Sequence, residues 1–477
     1  MTFYKAFTTI AVPLKFFRTN TNYPDTQKGD HNMVNGTQIN APPNPPALHG
    51  SPNRALFGAT IGFFIGFGAV SLFGPTAQIF IKVMSLSPEQ VGFLVAIPML
   101  TGSLLRIPFG AWVDITGGKL PFVILLVLSV VGIGGLYWML LTLYPNHLGQ
   151  QHYPWLLIFG ALGGCGIATF SVGIGQVSYW FPKKNQGWAL AAYAGLGNTS
   201  PGLVAIILPL LIISVGLWGA YLVSLVIVII GIGLYLMLGQ NAPYFQLRGR
   251  GNSREESRRR AEQCGQELFP QASALHTLLE AAKHWRTWPL VILYFTTFGG
   301  FLALTAWFPI YWQSFFHTTH WTAIILTASF SLLSSLIRVP GGSWTDKFGG
   351  EIVAAIALVF LLAGAVVMSV SNDFTLSIIG ELLVGIGMGT NNAAVFGLLP
   401  RYVPDAVGGA AGWIGGLGAL GGFAVPPLLG YFVGSQGSAG YAHGFIVYVC
   451  LAVLSLLLTS LLRFASPQKH RQVALAR

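Results

Sequence analysis

The sequence predicts an all-α membrane protein of twelve transmembrane helices arranged as two pseudo-symmetric six-helix bundles. Three observations carry this. Charged residues are only 8% of the 477 and hydrophobic ones 53%, too little polar surface for a water-soluble chain of this length. Twelve stretches reach the roughly 20 mostly apolar residues that a spanning helix needs. One phrase also occurs twice, 232 residues apart: Arg106-x-Pro108-x-Gly110-x-Trp112-x-Asp114-x-x-Gly117-Gly118, then Arg338-x-Pro340-x-Gly342-x-Trp344-x-Asp346-x-x-Gly349-Gly350. Six identities beyond the arginine, in matching register, make the first and last six spans related units.

Residues 1–53 are polar and rich in Asn, Thr and Pro from Asn20 onward, closing on Ala41-Pro-Pro-Asn-Pro-Pro46, and read as a disordered tail. Its apolar opening, Met1 to Arg18, lacks the basic start, long apolar core and small-residue cleavage site of a signal peptide. The first six spans fall near 54–82, 88–112, 120–143, 153–180, 187–214 and 217–239, forming a unit over 54–239. A connector over 240–287 follows, where Arg254-Glu-Glu-Ser-Arg-Arg-Arg260 reads as a solvated amphipathic helix on the inner leaflet. The second six, near 288–312, 321–344, 351–370, 373–398, 407–433 and 443–464, form the unit 288–464, and 465–477 is a short tail. Sixty glycines and 27 prolines suit membrane helices, where both are commoner than in soluble ones. A second, looser repeat supports the division: Trp180-Phe181-Pro182 leads to Ala194-Gly-Leu-Gly-Asn198, and Tyr402-Val403-Pro404 leads to Gly415-Gly-Leu-Gly-Ala419. Cys165, Cys264 and Cys450 show neither disulfide nor metal spacing.

The net charge of +11 follows from topology rather than from binding nucleic acid. Against the twelve spans, 22 of the 25 Lys and Arg fall on one side and only Lys82 on the other, the remaining two being Arg106 and Arg338. Positive charge gathers on the cytoplasmic side, so both termini and the connector are expected there, and an even number of spans agrees. No nucleophile, base and orienting group occur together and no cofactor phrase appears, so nothing supports an enzyme.

Arg106 lies eight residues above Asp114, about 12 Å along a helix, and Arg338 stands in the same relation to Asp346, so both cations sit well inside the membrane. An arginine at that depth costs about 2.5–3.5 kcal/mol on the mildest scale. One reading pairs each with an internal carboxylate. Of the 14 acids, however, 13 fall in tails, loops or span ends and only Glu381 is internal. The other reading is a net positive cavity for an anion, which the guanidinium fork suits because it donates two parallel hydrogen bonds to a planar oxyanion.

The Gly110–Gly118 and Gly342–Gly350 phrases resemble the loop phrase of the major facilitator superfamily, which implies the major facilitator fold and gating roles for Asp114 and Asp346. The stretches Gly164–Gly202 and Gly387–Gly430 look like the two glycine-rich signatures of the nitrate/nitrite porter family within it. That resemblance covers most of 54–464 and implies that Arg106 and Arg338 bind the anion. It further implies roles for Asn198 on span five, for the aromatic pair Tyr294 and Phe298 on span seven, and for Phe170 on span four. Aligning Pro182 with Pro404 sets Asn392 opposite Phe170. The expected ligands are nitrate and nitrite, in a monomer of the bacterial inner membrane, with exchange of one for the other as the expected mode. Proton-coupled symport through Glu381 is the alternative mode. Other carriers of organic anions or phosphate esters, and a membrane anion sensor, are the rival functions. One departure stands out: Thr199-Ser200-Pro201 follows Asn198 where the family has a glycine, so span five is expected to bend there.

Overall fold

The computed structural model describes residues 48–270 and 274–464; the two expected tails therefore lie almost wholly outside the described residues. Every regular element among them is helical. Eleven helical runs are long and apolar enough to cross a bilayer, and one of these, Trp188–Leu238, is two spans in succession. At Gly216 the backbone leaves the helix with φ +76° and ψ 175°, a conformation that glycine adopts without steric cost. With that break the run divides into spans five and six, and the described residues hold twelve spans.

Span one is shorter than its sequence suggests. It runs over Pro52–Ser71, and only after a turn does a separate short helix, Ala77–Met84, complete the apolar stretch. Pro75 lacks the N–H that would continue the ladder. Gly74 lies against the carbonyl of Ala306 in span seven, where a β-carbon would stand 2.5 Å from that oxygen.

The repeated phrase is also a repeated geometry. Span two divides into Pro88–Leu104 and Arg106–Thr116, and span eight into His320–Leu336 and Arg338–Phe348. Pro108 and Pro340 have no N–H to offer the carbonyls of Leu104 and Leu336, so each span is interrupted just before its arginine. Both second segments end on a glycine of positive φ, Gly117 at +78° and Gly349 at +91°, a conformation that glycine adopts without steric cost. Span five is interrupted too, between Lys183–Gly197 and the helix beginning at Ser200, as Pro201 predicts. Span seven holds one π turn, Phe295–Gly299, between Thr287–Tyr294 and Gly300–Phe315.

The two bundles meet where span two packs on span eleven, five on eight and one on seven. At the end remote from the connector, backbone lies on backbone: Gly92 against Pro426, Gly430 against Pro88, Gly74 against Ala306. At the level of the two arginines the crossings run through side chains, Gly416 against Ile107 and Gly195 against Val339. The remote end is thus closed by backbone-to-backbone contact, which small residues permit.

The connector forms Pro243–Gly249, Arg254–Gln263 and Ala274–Lys283. The charged run differs from expectation: Arg254–Gln263 has no apolar face, burying only Ser257 and Ala261, and is held by the i,i+4 ion pairs Arg258–Glu262 (2.9 Å) and Arg260–Glu256 (2.7 Å). The amphipathic helix is the one after it, Ala274–Lys283.

Candidate anion-binding site

Arg106 opens the second segment of span two and is fully buried. One arm of its guanidinium, Nη1, donates to the carbonyl of Gly415 in span eleven at 3.1 Å. Nε and Nη2 have no hydrogen-bond partner. Its Cζ lies 4.9 Å from the ring centre of Phe170 and 5.0 Å from that of Phe298. Arg338, the matching residue of span eight, is partly buried; its Nη2 donates to the Tyr294 hydroxyl at 3.4 Å, and its Cζ lies 5.4 Å from the same Phe298 ring. Both cations therefore share one aromatic ring, each gaining about 0.5–2 kcal/mol from such a contact.

Phe298 is held by its neighbours. Tyr294 stacks on it at 4.7 Å, Phe170 at 6.1 Å and Phe67 of span one at 6.4 Å. It belongs to the π turn, a backbone irregularity frequent at functional sites. Thr297, the residue before it, donates to Asn392 Oδ1 at 2.8 Å and accepts from Asn391 Nδ2 at 3.1 Å, which ties span ten to this turn. The Asn391 Oδ1 and Asn392 Nδ2 atoms have no partner.

No carboxylate answers the two arginines among the described residues. The ion pairs there all lie in the connector. Asp114 accepts from the Tyr179 hydroxyl at 2.7 Å within the first bundle, and Asp346 is exposed. Glu381 is fully buried, with neither carboxyl oxygen hydrogen-bonded, among Trp312, Ser329 and Tyr311. It lies ten residues before Asn391, about 15 Å along span ten.

Arg106, Arg338, Phe170, Tyr294 and Phe298 thus come together, and Asn392 joins them through Thr297. Asn198 is buried beside them at one remove: the Ser335 hydroxyl, three residues before Arg338, donates to its carbonyl at 2.8 Å. Its side-chain amide donates to Ala194 of its own helix at 2.6 Å, leaving Oδ1 without a partner. Asp114 and Asp346 stand at the connector end, and Glu381 stands apart. Sequence reasoning missed the Gly415 carbonyl and Thr297. Gly415 sat in a glycine run that reads as packing, and Thr297 had no repeat counterpart to single it out. Tyr193 was missed as well; its hydroxyl donates to the carbonyls of Thr169 and Phe170 at 3.0 and 3.1 Å and so fixes the second aromatic ring.

Twelve spans in two related bundles, with two cations near their seam, describe a secondary transporter and not an enzyme. The family model of the Major Facilitator Superfamily matches residues 59–327 and 316–477. The chain is 30% identical over 439 residues, 85% of its length and 90% of the other, to a probable nitrate/nitrite antiporter, NarK1, of Thermus thermophilus. It is also 30% identical to a probable nitrate transporter, NarT, of Staphylococcus epidermidis, over 83% of this chain and 94% of that one. In fold it matches a partially occluded inward-open conformation of the xylose transporter XylE from E. coli, with a TM-score of 0.67 at 15% identity over 87% of this chain and 100% of that chain. The chain belongs to the major facilitator superfamily and, within it, to the nitrate/nitrite porter family.

Proposed function

We propose that this protein carries nitrate and nitrite across the membrane by alternating access, exchanging one for the other at a site between Arg106 and Arg338. The observation that carries the reading is the pair of guanidiniums sharing the Phe298 ring with no acid between them. Two uncompensated cations in a low-dielectric interior repel each other, and a small anion relieves that repulsion. Nitrate is planar and singly charged: Nε and Nη2 of Arg106 offer it an unused fork, while Phe170 and Phe298 favour a flat ion over a tetrahedral one. The names of the relatives support the same substrates. A doubly charged organic phosphate would call for further Lys or His beside the arginines, and the spans supply none at this level.

Because the anion offsets the repulsion, the bundles close readily only when loaded, and an empty carrier does not return. That makes exchange the favoured mode. Asp114, tied to Tyr179, and Asp346 act at the connector-end gate rather than on the anion. The excess of Lys and Arg at the connector end supports cytoplasmic termini.

The test is flux of each anion into proteoliposomes loaded, or not, with the other. Counterflow that needs internal anion and ignores a pH gradient is expected; flux of neither ion sinks the assignment. Glu381 supplies a second reading, since an unpartnered buried carboxyl is a place to carry a proton. Its distance from Asn391 along span ten favours exchange, so Glu381→Gln is expected to leave counterflow within about twofold, less than one typical hydrogen bond contributes. Loss of pH-driven uptake in that variant would establish symport instead. Tyr294→Phe removes the hydroxyl that faces Arg338 at a long 3.4 Å, and its half-saturation is expected to rise by about threefold, the effect of a weak hydrogen bond.

A further inference from the structure

Between the charged connector helix and span seven, Ala274–Lys283 divides its apolar arc in two. One part is docked. The backbone carbonyl of Leu278 accepts from Trp413 Nε1 of span eleven at 2.9 Å, and Gly409 lies against Thr277 so closely that a β-carbon there would strike its carbonyl. Ala281 is buried beneath, its carbonyl taken by the Thr287 hydroxyl at 2.7 Å. The helix also reaches the second segment of span two, so it bridges the two bundles at the connector end. The other part of the arc, Leu275 and Leu279, is exposed among the described residues.

The surroundings say what covers that face. Trp285 and Trp288, also exposed, mark the level where span seven enters the bilayer at Thr287, the position where tryptophans gather in membrane proteins. The 240–287 segment carries eight Lys and Arg against five Glu, which suits a negatively charged surface. An amphipathic helix at that level, with leucines outward and a basic surround, fits the headgroup boundary of an anionic leaflet.

The docked side leads to the anion site. Trp413 is two residues before Gly415, the carbonyl that receives Arg106 at 3.1 Å. We propose that Ala274–Lys283 is a latch anchored on anionic lipid, and that its seating sets the position of span eleven and thereby the bond between Gly415 and Arg106. Lipid charge then tunes anion affinity from the membrane surface. The transport half of this idea rests on the anion-carrier reading above; the anchoring half does not.

The experiment uses the full chain with Cys165→Ala, Cys264→Ser, Cys450→Ala and Leu279→Cys, labelled with bimane and placed in vesicles of phosphatidylglycerol or phosphatidylcholine with brominated chains. Strong quenching by brominated phosphatidylglycerol, and weaker quenching by the neutral lipid, is expected. A label quenched by aqueous iodide and by neither lipid overturns the anchoring. In parallel, the half-saturation of nitrate counterflow in the unlabelled protein is expected to differ between the two lipids by about fivefold, the lower end of ordinary coupling between sites. That difference is expected to vanish in Trp413→Phe, which keeps the ring but loses the donor to Leu278, and in Leu275→Glu with Leu279→Glu. A label seated in lipid with a half-saturation indifferent to lipid charge would overturn the latch. Absence of any nitrate or nitrite flux would strike the carrier reading alone, while the quenching still decides the anchor.

Discussion

Replacing Arg106 with alanine is expected to abolish counterflow of both anions. Arg106 is fully buried, spends one arm on the Gly415 carbonyl and keeps two nitrogens free beside Phe170 and Phe298. Removing one member of a buried, hydrogen-bonded charge pair costs about 2–5 kcal/mol, or roughly 30- to several-thousand-fold in affinity. Arg106→Lys is expected to recover little. An ammonium keeps the charge but cannot present a planar fork to the anion and bond Gly415 at once. Nitrate binding to the detergent-solubilised protein by calorimetry, alongside counterflow, checks this. Retained nitrate affinity in Arg106→Ala, in a variant that elutes as the wild type does, would remove the arginine from the site. Arg338→Ala is expected to be the milder of the pair, because Arg338 is only partly buried and leans on a long contact to Tyr294.

Gly92→Val is expected to stop transport while leaving binding intact. A β-carbon at Gly92 would stand 2.6 Å from the carbonyl oxygen of Pro426 and 2.9 Å from Pro427 Cα, both backbone atoms that cannot step aside. Overpacking of this kind costs about 1–3 kcal/mol, so the state with the remote end sealed loses about 5- to 150-fold in population. Gly92 precedes Arg106 by fourteen residues, about 21 Å along the span, too far to disturb the anion directly. Counterflow is expected to fall to about one-tenth or less on that population shift. Nitrate binding should stay within about threefold, since no contact to the ion is touched. If counterflow persists at the wild-type rate, the Gly92–Pro426 crossing is not a seal that must re-form in each cycle.

The two predictions separate two jobs that the fold assigns to different levels of the same helix. Span two carries a glycine where backbones of opposite bundles touch and an arginine whose side chain bonds across to the opposite bundle. In the alternating-access cycle proposed above, rocking about the arginine level opens one end as it closes the other, and each span is already divided just before Arg106 and Arg338.

Much of this was legible in the chain. Hydropathy alone located the twelve spans, because lipid forces every spanning segment to satisfy its backbone internally and so to announce itself as a long apolar run. The duplicated phrase set Arg106 and Arg338 at matching positions of the two halves, and its prolines and glycines became matching kinks and positive-φ helix ends. The aromatic pair on span seven and Phe170 followed from resemblance to a family. Only tertiary structure decided that both guanidiniums share the Phe298 ring, that Arg106 is tied to a backbone carbonyl 309 positions away, and that Glu381 stands apart from both. The same holds for span one ending early at Ser71 and for the amphipathic helix being Ala274–Lys283 rather than the charged run before it. The physical reason is common to all of them. Apolar length, charge sidedness and proline chemistry act within a few residues of the chain, whereas a carbonyl left open by a glycine, or a ring between two cations, exists only once helices from opposite halves have packed.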